Sequence, residues 1–349
     1  MKTTVHIDGS QGEGGGQILR TSLSLSVLTG RPVEFTHIRA GRSRPGLQPQ
    51  HLAAVRAAAA LCAASLEGDA VGSTRLLFAP QTAAVPGEYH FDIGTAGATT
   101  LVVQTVLLPL TFAGAEARVT VRGGTHVPHA PTAEYLSHVY AATLGFLGLT
   151  VDISSLRAGF FPKGGGVVEA ELASAAFLHP VDLTERGELR SLTAHIVTAN
   201  LPPSVAERGA ATVRQSLAGW GDALRIEARD APSLGPGASV VLVAECANAI
   251  AGFSAIGERG KPMERVADEA CDEFQSWWAS GAACDEHGAD QWALPAALSS
   301  ETSRWTTCRV TEHLRTVLGV IQQFLPVEVN LEERPNGSGQ VMLRGVSLQ

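Results

Sequence analysis

The sequence predicts a mixed α/β fold that is built from a repeated unit and interrupted by a smaller inserted α/β domain. Short β-type runs alternate with apolar segments of helical period, the same order of segments recurs along the chain, and residues 185–283 interrupt that order. With 349 residues, 45% of them hydrophobic, the chain has room for two or three domains and a large core.

The first unit is predicted from four segments near the N-terminus and two that follow. They are a strand at residues 4–8, a helix at 16–28 stopped by Gly30, a strand at 33–38 and a helix at 49–64. Two β-type runs, at residues 75–78 and 89–93, close this unit.

The order of helix, strand, helix and two strands then recurs twice. The second unit has segments at residues 98–112, 117–122, 132–147, 150–153 and 167–172. The third lies at the C-terminus, at residues 289–298, 305–310, 312–324, 327–331 and 340–343. Three such units indicate an internal repeat.

The segment that displaces the third unit has strands and helices of its own. Its strands are predicted at residues 189–198, 224–228 and 239–244, and its helices at 204–217 and 262–278. Small and polar residues flank it, as expected where a chain crosses between domains. We therefore expect a discontinuous large domain, residues 1–184 and 284–349, and a small domain, residues 185–283.

Composition excludes several classes of protein. A net charge of −8 argues against a protein that coats nucleic acid by general electrostatic attraction. Five scattered cysteines without a C-x-x-C pair predict neither a disulfide framework nor a structural zinc, and they suit a reducing cytoplasm. The N-terminus lacks the apolar run of a signal peptide, and the most apolar window, residues 101–112, is too short to cross a membrane.

A basic, glycine-rich region is the strongest chemical signal. Residues 35–66 contain four arginines and no acidic residue, and the stretch IRAGRSRPGLQPQH interleaves three of them with glycine and proline. Arginine forks bind phosphate oxygens bidentately, so this region predicts an anion site. The alternative is a solvated loop that happens to be basic. The nearby GEGGGQILR, residues 12–20, matches no standard nucleotide loop and is by itself a tight turn.

The histidines give weaker signals. His313 lies in the first turn of the last amphipathic helix, with Thr311 as a candidate cap, and the alternative is a partly buried structural histidine. His126 and His129 lack a third ligand at metal-binding spacing. The residues alone therefore predict an anion site of arginines and glycines, and no particular reaction.

Five motifs, taken together, resemble those of the RNA 3′-terminal phosphate cyclases over almost the whole chain. They are DGSQGEGGGQILR, IRAGRSRPGLQPQHLAAV, DIGTAGATTLVVQTVL, FFPKGGGVV and TEHL. The resemblance implies three units, each a four-stranded sheet with two helices, and an inserted domain of thioredoxin-like topology. It also implies an ATP-dependent enzyme that converts the 3′-terminal phosphate of an RNA to a 2′,3′-cyclic phosphate.

The resemblance assigns the reacting groups. His313 matches the histidine that takes AMP from ATP covalently, Arg20, Arg39 and Arg42 match phosphate-facing arginines, and Glu13 matches a carboxylate near Mg²⁺ or Mn²⁺. The implied nucleotide-binding positions are Gln50, His51, Gln104, Pro131, Tyr135, His287, Gly288, Ala289, Asp290 and Gln291. Two positions depart from the family pattern: His287 stands where tyrosine is frequent, and Ala158 where arginine or histidine is usual.

Two other interpretations are compatible with parts of this pattern. A non-catalytic, cyclase-like ribosome-assembly factor would keep the fold and lose the histidine, so His313 together with the arginines favours the enzyme. An enolpyruvyl transferase would explain the arginines and give no role to His313 or to the inserted domain. The sequence leaves open the physiological RNA, the preferred metal, the role of the inserted domain and a homo-oligomeric state.

Overall fold

Sixteen strands form four sheets of four strands each within residues 2–347, the part of the chain that this computed structural model describes. The first sheet has the order β1-β2-β4-β3, in which only β1 and β2 are parallel. Its strands are β1 (Val5–Asp8), β2 (Val33–Thr36), β3 (Ser65–Glu67) and β4 (Leu76–Ala79). Two helices, α1 (Gly16–Thr29) and α2 (Pro49–Cys62), connect them, and α1 ends at the left-handed Gly30, as predicted.

The second sheet has the order β5-β6-β8-β7, again with only the first pair parallel. It comprises β5 (Glu88–Asp92), β6 (Ala117–Gly123), β7 (Val151–Arg157) and β8 (Gly166–Leu172). Helix α3 (Thr99–Thr111) follows β5. A helical segment of α4 (Ala133–Tyr135), a π-helical turn (Leu136–Tyr140) and α5 (Ala141–Phe146) follows β6.

After the short strand β9 (Asp182–Leu183), the chain builds a sheet with a different order, β11-β10-β12-β13. Its strands are β10 (Leu189–Ala199), β11 (Leu224–Asp230), β12 (Gly237–Cys246) and β13 (Ile250–Ile256), with helices α6 (Pro203–Ser216) and α7 (Met263–Ser280). Phe274 and Trp277 of α7 lie in a hydrophobic cluster that belongs to this sheet and its helices.

The chain then returns to β9, which pairs with β14 in a sheet of order β15-β16-β14-β9. Its other elements are α8 (Gly288–Gln291), α9 (Ala293–Ala297), β14 (Thr302–Thr307), α10 (Glu312–Phe324), β15 (Glu328–Glu333) and β16 (Gly339–Arg344). Three of the four sheets thus share one strand order, and only the sheet of β10 to β13 differs.

One predicted assignment is wrong. We placed the strand at residues 89–93 in the first unit, whereas β5 pairs in parallel with β6 and belongs to the second sheet. The fourth strand of the first sheet is β3, which is three residues long. Parallel strands pair across a long connection, here one that contains a helix. The order of segments along the chain therefore does not show which strands pair.

Short or small-residue strands escaped prediction for a common reason. β3 and β9 have three and two residues, too few to show alternation, and β13 is rich in alanine and glycine. The predicted helix at residues 289–298 is two short helices, with Trp292 between them. The predicted helix at 132–147 contains a π-helical turn.

Helix packing brings distant parts of the sequence together. α1 packs against α2, α3 and α10, so its N-terminal residues lie beside the first turns of α10. Buried residues of α1 and α10, among them Leu23 and Ile321, share one hydrophobic cluster. In the described part of the chain, no helix has the length and apolarity that crossing a membrane requires.

Candidate active site

The glycine run at residues 12–16 clears space for polar side chains. Gly12 and Gly14 have φ of +57° and +60°, a left-handed conformation that glycine adopts at least cost. Gly15 has ordinary φ, but a Cβ there would overlap the Glu13 carboxylate. At Gly16 a Cβ would lie 2.6 Å from both Arg20 Nη1 and His51 Nε2. The run therefore allows three polar groups to approach the backbone.

Glu13 is the central residue of the cleft, by which we mean the space between Glu13, Arg20, Arg42, His51 and His313. Its Oε2 accepts from Arg42 Nη2 at 2.6 Å and lies 3.6 Å from His313 Nε2, and its backbone N–H donates to Thr316 Oγ1 at 3.2 Å. Arg42 also donates to the Glu13 carbonyl oxygen at 2.9 Å. The Glu13 side chain is only 9% exposed. The structure thus places Glu13 beside His313, although 300 residues separate them in the chain.

His313 lies in the first turn of α10. Thr311 caps this helix as predicted, since its Oγ1 accepts from Leu314 N at 3.1 Å. Burial lowers the pKa of His313, the Glu13 carboxylate opposes this shift, and neighbouring positive groups led by Arg20 add to it. The lowered pKa favours the neutral imidazole at pH 7, the form that has a free nitrogen lone pair. The side chain is 52% exposed, so that nitrogen can be reached from solvent.

Arg20 and His51 form the inner wall of the cleft. Arg20 donates to Gln17 Oε1 at 2.6 Å, and burial lowers its pKa to about 10, which leaves it charged at neutral pH. Burial, followed by the charges of Arg20 and Arg39, lowers the pKa of His51 to about 3. His51 is therefore neutral, and because its Nδ1 accepts from Gln48 N at 3.1 Å, its Nε2 carries the proton.

The basic loop is fixed partly by its own arginines. Arg39 has a left-handed φ of +53° and donates to the carbonyl oxygens of Arg44 and Gly46 at 2.6 and 3.1 Å. Burial is the main reason that the pKa of Arg39 is lowered. Arg39 therefore holds the loop, whereas Arg42 extends to Glu13.

The residues that match the family's nucleotide-binding positions lie in or directly before α2, α3, α4 and α8. Gln104 Nε2 donates to Gln291 Oε1 at 3.0 Å, and Pro131 O accepts from Thr100 Oγ1 at 2.9 Å. Gln50 Oε1 accepts from Ala98 N at 3.1 Å, which joins α2 to the residue before α3. Ala289 is fully buried, and its carbonyl accepts from Trp305 Nε1 at 3.1 Å.

The segment at residues 285–291 brings a second carboxylate to the cleft. Asp290 lies close enough to Arg20 for their charges to interact, and burial raises its pKa to about 7. The neighbouring His287 side chain is 67% exposed. Near neutral pH, Asp290 is thus close to its own titration, and Arg20 and His287 favour its ionised form.

Known proteins resemble this chain over nearly its whole length. A family model described as RNA 3′-terminal phosphate cyclase matches residues 11–331. A protein of that name from Trichormus variabilis is 42% identical over 338 residues, which cover 95% of this chain and 97% of the relative. Another, from Pyrobaculum neutrophilum, is 45% identical over 331 residues, covering 94% and 95%. The chain belongs to the RNA 3′-terminal phosphate cyclase family.

This family is one of ligase-type enzymes, as the resemblance of the motifs implied. Among solved structures, the enolpyruvyl transferase NikO from Streptomyces tendae aligns with 100% of this chain and 49% of its own, at a TM-score of 0.38 and 10% identity. The chain thus spans about half of that structure.

One buried polar residue next to the positions that match the family's nucleotide-binding set, Asp285, was not predicted from the sequence. This buried carboxylate accepts from the Tyr135 hydroxyl at 3.2 Å and from the backbone N–H groups of His287 and Gly288 at 3.0 and 2.7 Å. Its other oxygen accepts from Gly252 N in β13 at 3.2 Å. An aspartate just before a short helix is a capping signal. The sequence CDEHGAD could therefore have predicted that Asp285 caps the helix that follows it.

Few protein groups could hold a metal here. Across residues 2–347, no cluster of three or more His, Cys, Asp or Glu side chains has metal-binding geometry. Glu13 is a single carboxylate, and Mg²⁺ is commonly bound by one or two carboxylates, with substrate phosphates and water completing its coordination. The donor set therefore fits a cation that arrives with a nucleotide.

Proposed function

We propose that this enzyme converts an RNA 3′-terminal phosphate to a 2′,3′-cyclic phosphate, with ATP as co-substrate and His313 as the nucleophile. One observation carries the proposal: a half-exposed histidine beside Glu13 Oε2, with Arg42 on the same carboxylate and Arg20 on the adjoining wall. Family membership supports the reaction class, since the relatives carry the name RNA 3′-terminal phosphate cyclase.

In the first step, a nitrogen of neutral His313 attacks the α-phosphorus of ATP. The N–P bond forms as the P–O bond to pyrophosphate breaks, and the histidine carries AMP. Charge accumulates on the phosphoryl oxygens and on the leaving pyrophosphate. Arg20, Arg39 and Arg42 supply fixed positive charge there, and such preorganised charge stabilises a transition state without reorganisation.

In the second step, an oxygen of the RNA 3′-phosphate takes AMP from the histidine. The phosphoramidate bond breaks readily because protonated imidazole is a good leaving group. The 2′-hydroxyl of the same ribose then attacks the activated 3′-phosphorus and AMP leaves with its bridging oxygen, so that the cyclic phosphate forms. The hydroxyl proton passes to a base or to water.

Glu13 is the proposed metal residue, and Mg²⁺ or Mn²⁺ would supply charge neutralisation of the ATP phosphates. The proposed nucleotide site is lined by the residues that match the family pattern and by Asp285, which pairs with Tyr135. They are Gln50, His51, Gln104, Pro131, Tyr135, Asp285, His287, Gly288, Ala289, Asp290 and Gln291. The direct Gln104–Gln291 hydrogen bond supports this, because it brings together two of these residues from α3 and α8.

We also propose the architecture that the motifs imply. Residues 1–184 and 284–349 would form one large domain of three repeated units, and residues 185–283 an inserted domain of thioredoxin-like topology. The shared strand order of three sheets supports the repeats, and the separate hydrophobic cluster of the fourth supports the insertion. A reducing cytoplasm suits the free thiols found in the described residues.

The decisive experiment omits RNA. The enzyme is incubated with ATP labelled at the α-phosphate and with Mg²⁺ or Mn²⁺, and protein-bound label is measured on a gel. We expect acid-labile, alkali-stable label on the wild type and none on His313→Ala. His90→Ala is the matched control, because this exposed histidine pairs with the exposed Glu88 and should label normally.

A wild type without label, or His313→Ala labelled like the wild type, would contradict the mechanism. A companion assay uses RNA with a 3′-phosphate, whose end should become resistant to phosphatase, whereas a 3′-hydroxyl end should stay unchanged. A protein that binds RNA and performs neither reaction would be the non-catalytic relative.

A further inference from the structure

An exposed aromatic ring lies at the second triple glycine of the chain, which the proposed chemistry does not use. Phe161 is 66% exposed, and Lys163, two residues later, is also exposed. Leu234, 55% exposed, lies across the turn, where it would overlap a Cβ at Gly165. We call Phe161, Lys163 and Leu234 the Phe161 platform.

The backbone beneath the platform is firmly anchored. Phe160 packs into the space that the missing side chain of Gly237 leaves, and its ring stacks on His126 with centroids 4.7 Å apart. Arg157 Nε donates to the Gly165 carbonyl at 2.7 Å. The exposed ring thus stands on a loop held from both sides, which lowers the entropy cost of binding.

The platform is one loop away from the cleft. Gly164 packs on the loop at residues 94–98, since a Cβ at Gly164 would lie 2.7 Å from Ala96 Cα. In the same loop, a Cβ at Gly97 would lie 2.9 Å from Gln50 Cβ, and Gln50 is the neighbour of His51 on the cleft wall. A chain that leaves the cleft past Gln50 therefore meets the platform.

The charges on this route suit a polyanion. Within the described residues, Lys163 makes no ion pair, so this cation is available to a ligand. The chain as a whole carries a net charge of −8, so this positive character is local. Exposed aromatic rings next to free cations are how proteins bind single-stranded nucleic acid, by stacking on bases and pairing with phosphates.

We propose that the Phe161 platform binds the RNA strand just upstream of its reacting 3′ end, with a base stacked on Phe161 and a phosphate on Lys163. This inference rests on the proposed function for its ligand, and it adds a subsite that the chemistry itself does not require. A protein partner on the same face is the competing occupant.

The first test measures RNA binding without ATP. The Kd of a fluorescent 3′-phosphate oligonucleotide is determined by anisotropy for the wild type, Phe161→Ala and Phe161→Trp. We expect Phe161→Ala to raise the Kd about tenfold and Phe161→Trp to keep it near the wild-type value, because either ring can stack. An RNA with one abasic position near its 3′ end should bind the wild type more weakly than the intact RNA does. For Phe161→Ala, the abasic RNA and the intact RNA should have similar Kd values.

Phe177→Ala is the matched control. Phe177 is 61% exposed and lies by the far end of α3, where Ala175 N donates to Thr111 O. The thirteen residues of α3 put about 20 Å between that end and the loop at residues 94–98. The Kd of Phe177→Ala for the oligonucleotide should therefore match that of the wild type.

A second measurement isolates the lysine. For single strands each phosphate contact contributes about 0.7 to the slope of log K against log[salt], so Lys163→Gln should reduce that slope by about this amount. Three results would overturn the proposal: equal Kd values for the wild type and Phe161→Ala, equal losses of RNA affinity in Phe161→Ala and Phe177→Ala, or an unchanged salt slope in Lys163→Gln. A protein partner would then be the occupant of this face.

These outcomes are separate from those of the proposed function. The Kd requires no ATP and no chemistry on His313, whereas the labelling experiment requires no RNA. An enzyme that fails to take up AMP while its RNA affinity depends on Phe161 would overturn the reaction alone.

Discussion

At the scale of single residues, the cleft depends on side chains that are absent. Gly15 and Gly16 have no Cβ, and the vacant positions are occupied by the ends of Glu13, Arg20 and His51. The sequence by itself predicts a tight turn here, and the structure adds that the missing side chains make room for these three polar groups.

Gly16→Ala tests this account. The residue begins α1 with ordinary φ, so alanine fits the backbone, but its Cβ would lie 2.6 Å from Arg20 Nη1 and His51 Nε2. We expect AMP uptake to fall at least about tenfold, which corresponds to about 1.4 kcal/mol, with little change in the melting temperature. Uptake is measured as labelled AMP on the enzyme.

Gly319→Ala serves as the comparison, because a Cβ in the middle of α10 would meet nothing within 4 Å. It should raise the free energy of unfolding by up to about 1 kcal/mol and leave AMP uptake unchanged. Normal uptake by Gly16→Ala would show that the space beside Arg20 is not needed.

Glu13→Gln removes the negative charge of the side chain and keeps its size, so it tests the role of the charge alone. The amide keeps a similar volume, loses the ion pair with Arg42 and removes the one acidic group placed 3.6 Å from His313. We expect the rate of AMP uptake to fall about tenfold or more and to require higher Mg²⁺ concentrations. A metal titration of the initial rate measures both effects.

Glu312→Gln is the matched control for Glu13→Gln. Glu312 adjoins His313 in sequence, but its side chain is 69% exposed and pairs with Arg315 at 3.4 Å. If both variants responded to Mg²⁺ alike, Glu13 would have no special part in metal use.

At the scale of elements, α10 shows how a local signal sets a functional position. Its amphipathic period and its Thr311 cap were readable from the sequence, and both are present. The cap fixes where the helix begins, and hence where His313 stands in its first turn. Elements with too few residues to show a period, such as β9, were not predicted.

Thr311→Ala should lower the free energy of unfolding by about 1 kcal/mol, because the N–H of Leu314 loses its acceptor. Urea denaturation measures this change. Thr311→Ser keeps the hydroxyl and should recover most of the loss, and an equal loss in both variants would mean that the β-branched methyl group matters instead of the cap.

At the scale of the whole molecule, an ionic cluster around the buried Glu134 joins the sheet of β10 to β13 to the second sheet. Glu134 of α4 pairs with His126, which follows β6, and accepts from Arg229 of β11 at 2.6 Å. Burial opposes ionisation of Glu134, but its interactions with His126 and Arg229 lower its pKa from 4.5 to about 2. The contact between Glu134 and Arg229 therefore ties β11 to α4 most strongly while Glu134 is ionised.

The pH dependence follows from the sign of this shift. A pKa that is lower in the folded state stabilises the fold fully above about pH 4.5, and this contribution is lost as the pH falls toward 2. We expect Glu134→Gln to lower the melting temperature most at neutral pH, and the difference from the wild type to shrink below pH 4.5. Melting curves from pH 7 to pH 3 measure it.

Glu171→Gln is the control, since its pair with Arg118 is about half exposed on both sides and contributes little. A difference between Glu134→Gln and the wild type that stayed constant with pH would contradict the assignment to Glu134 ionisation.

The sequence by itself determined the local features: the periods of the long helices, the cap at Thr311, the end of α1 at Gly30, and the arginines and glycines that predict an anion site. These depend on residues that are neighbours in the chain. Only the tertiary structure decided that β5 joins the second sheet, that Asp285 accepts from Tyr135, and that Glu13 lies beside His313. Such contacts arise where α1 packs on α10 and β13 approaches α4, and packing between distant segments leaves no periodic signal in either one.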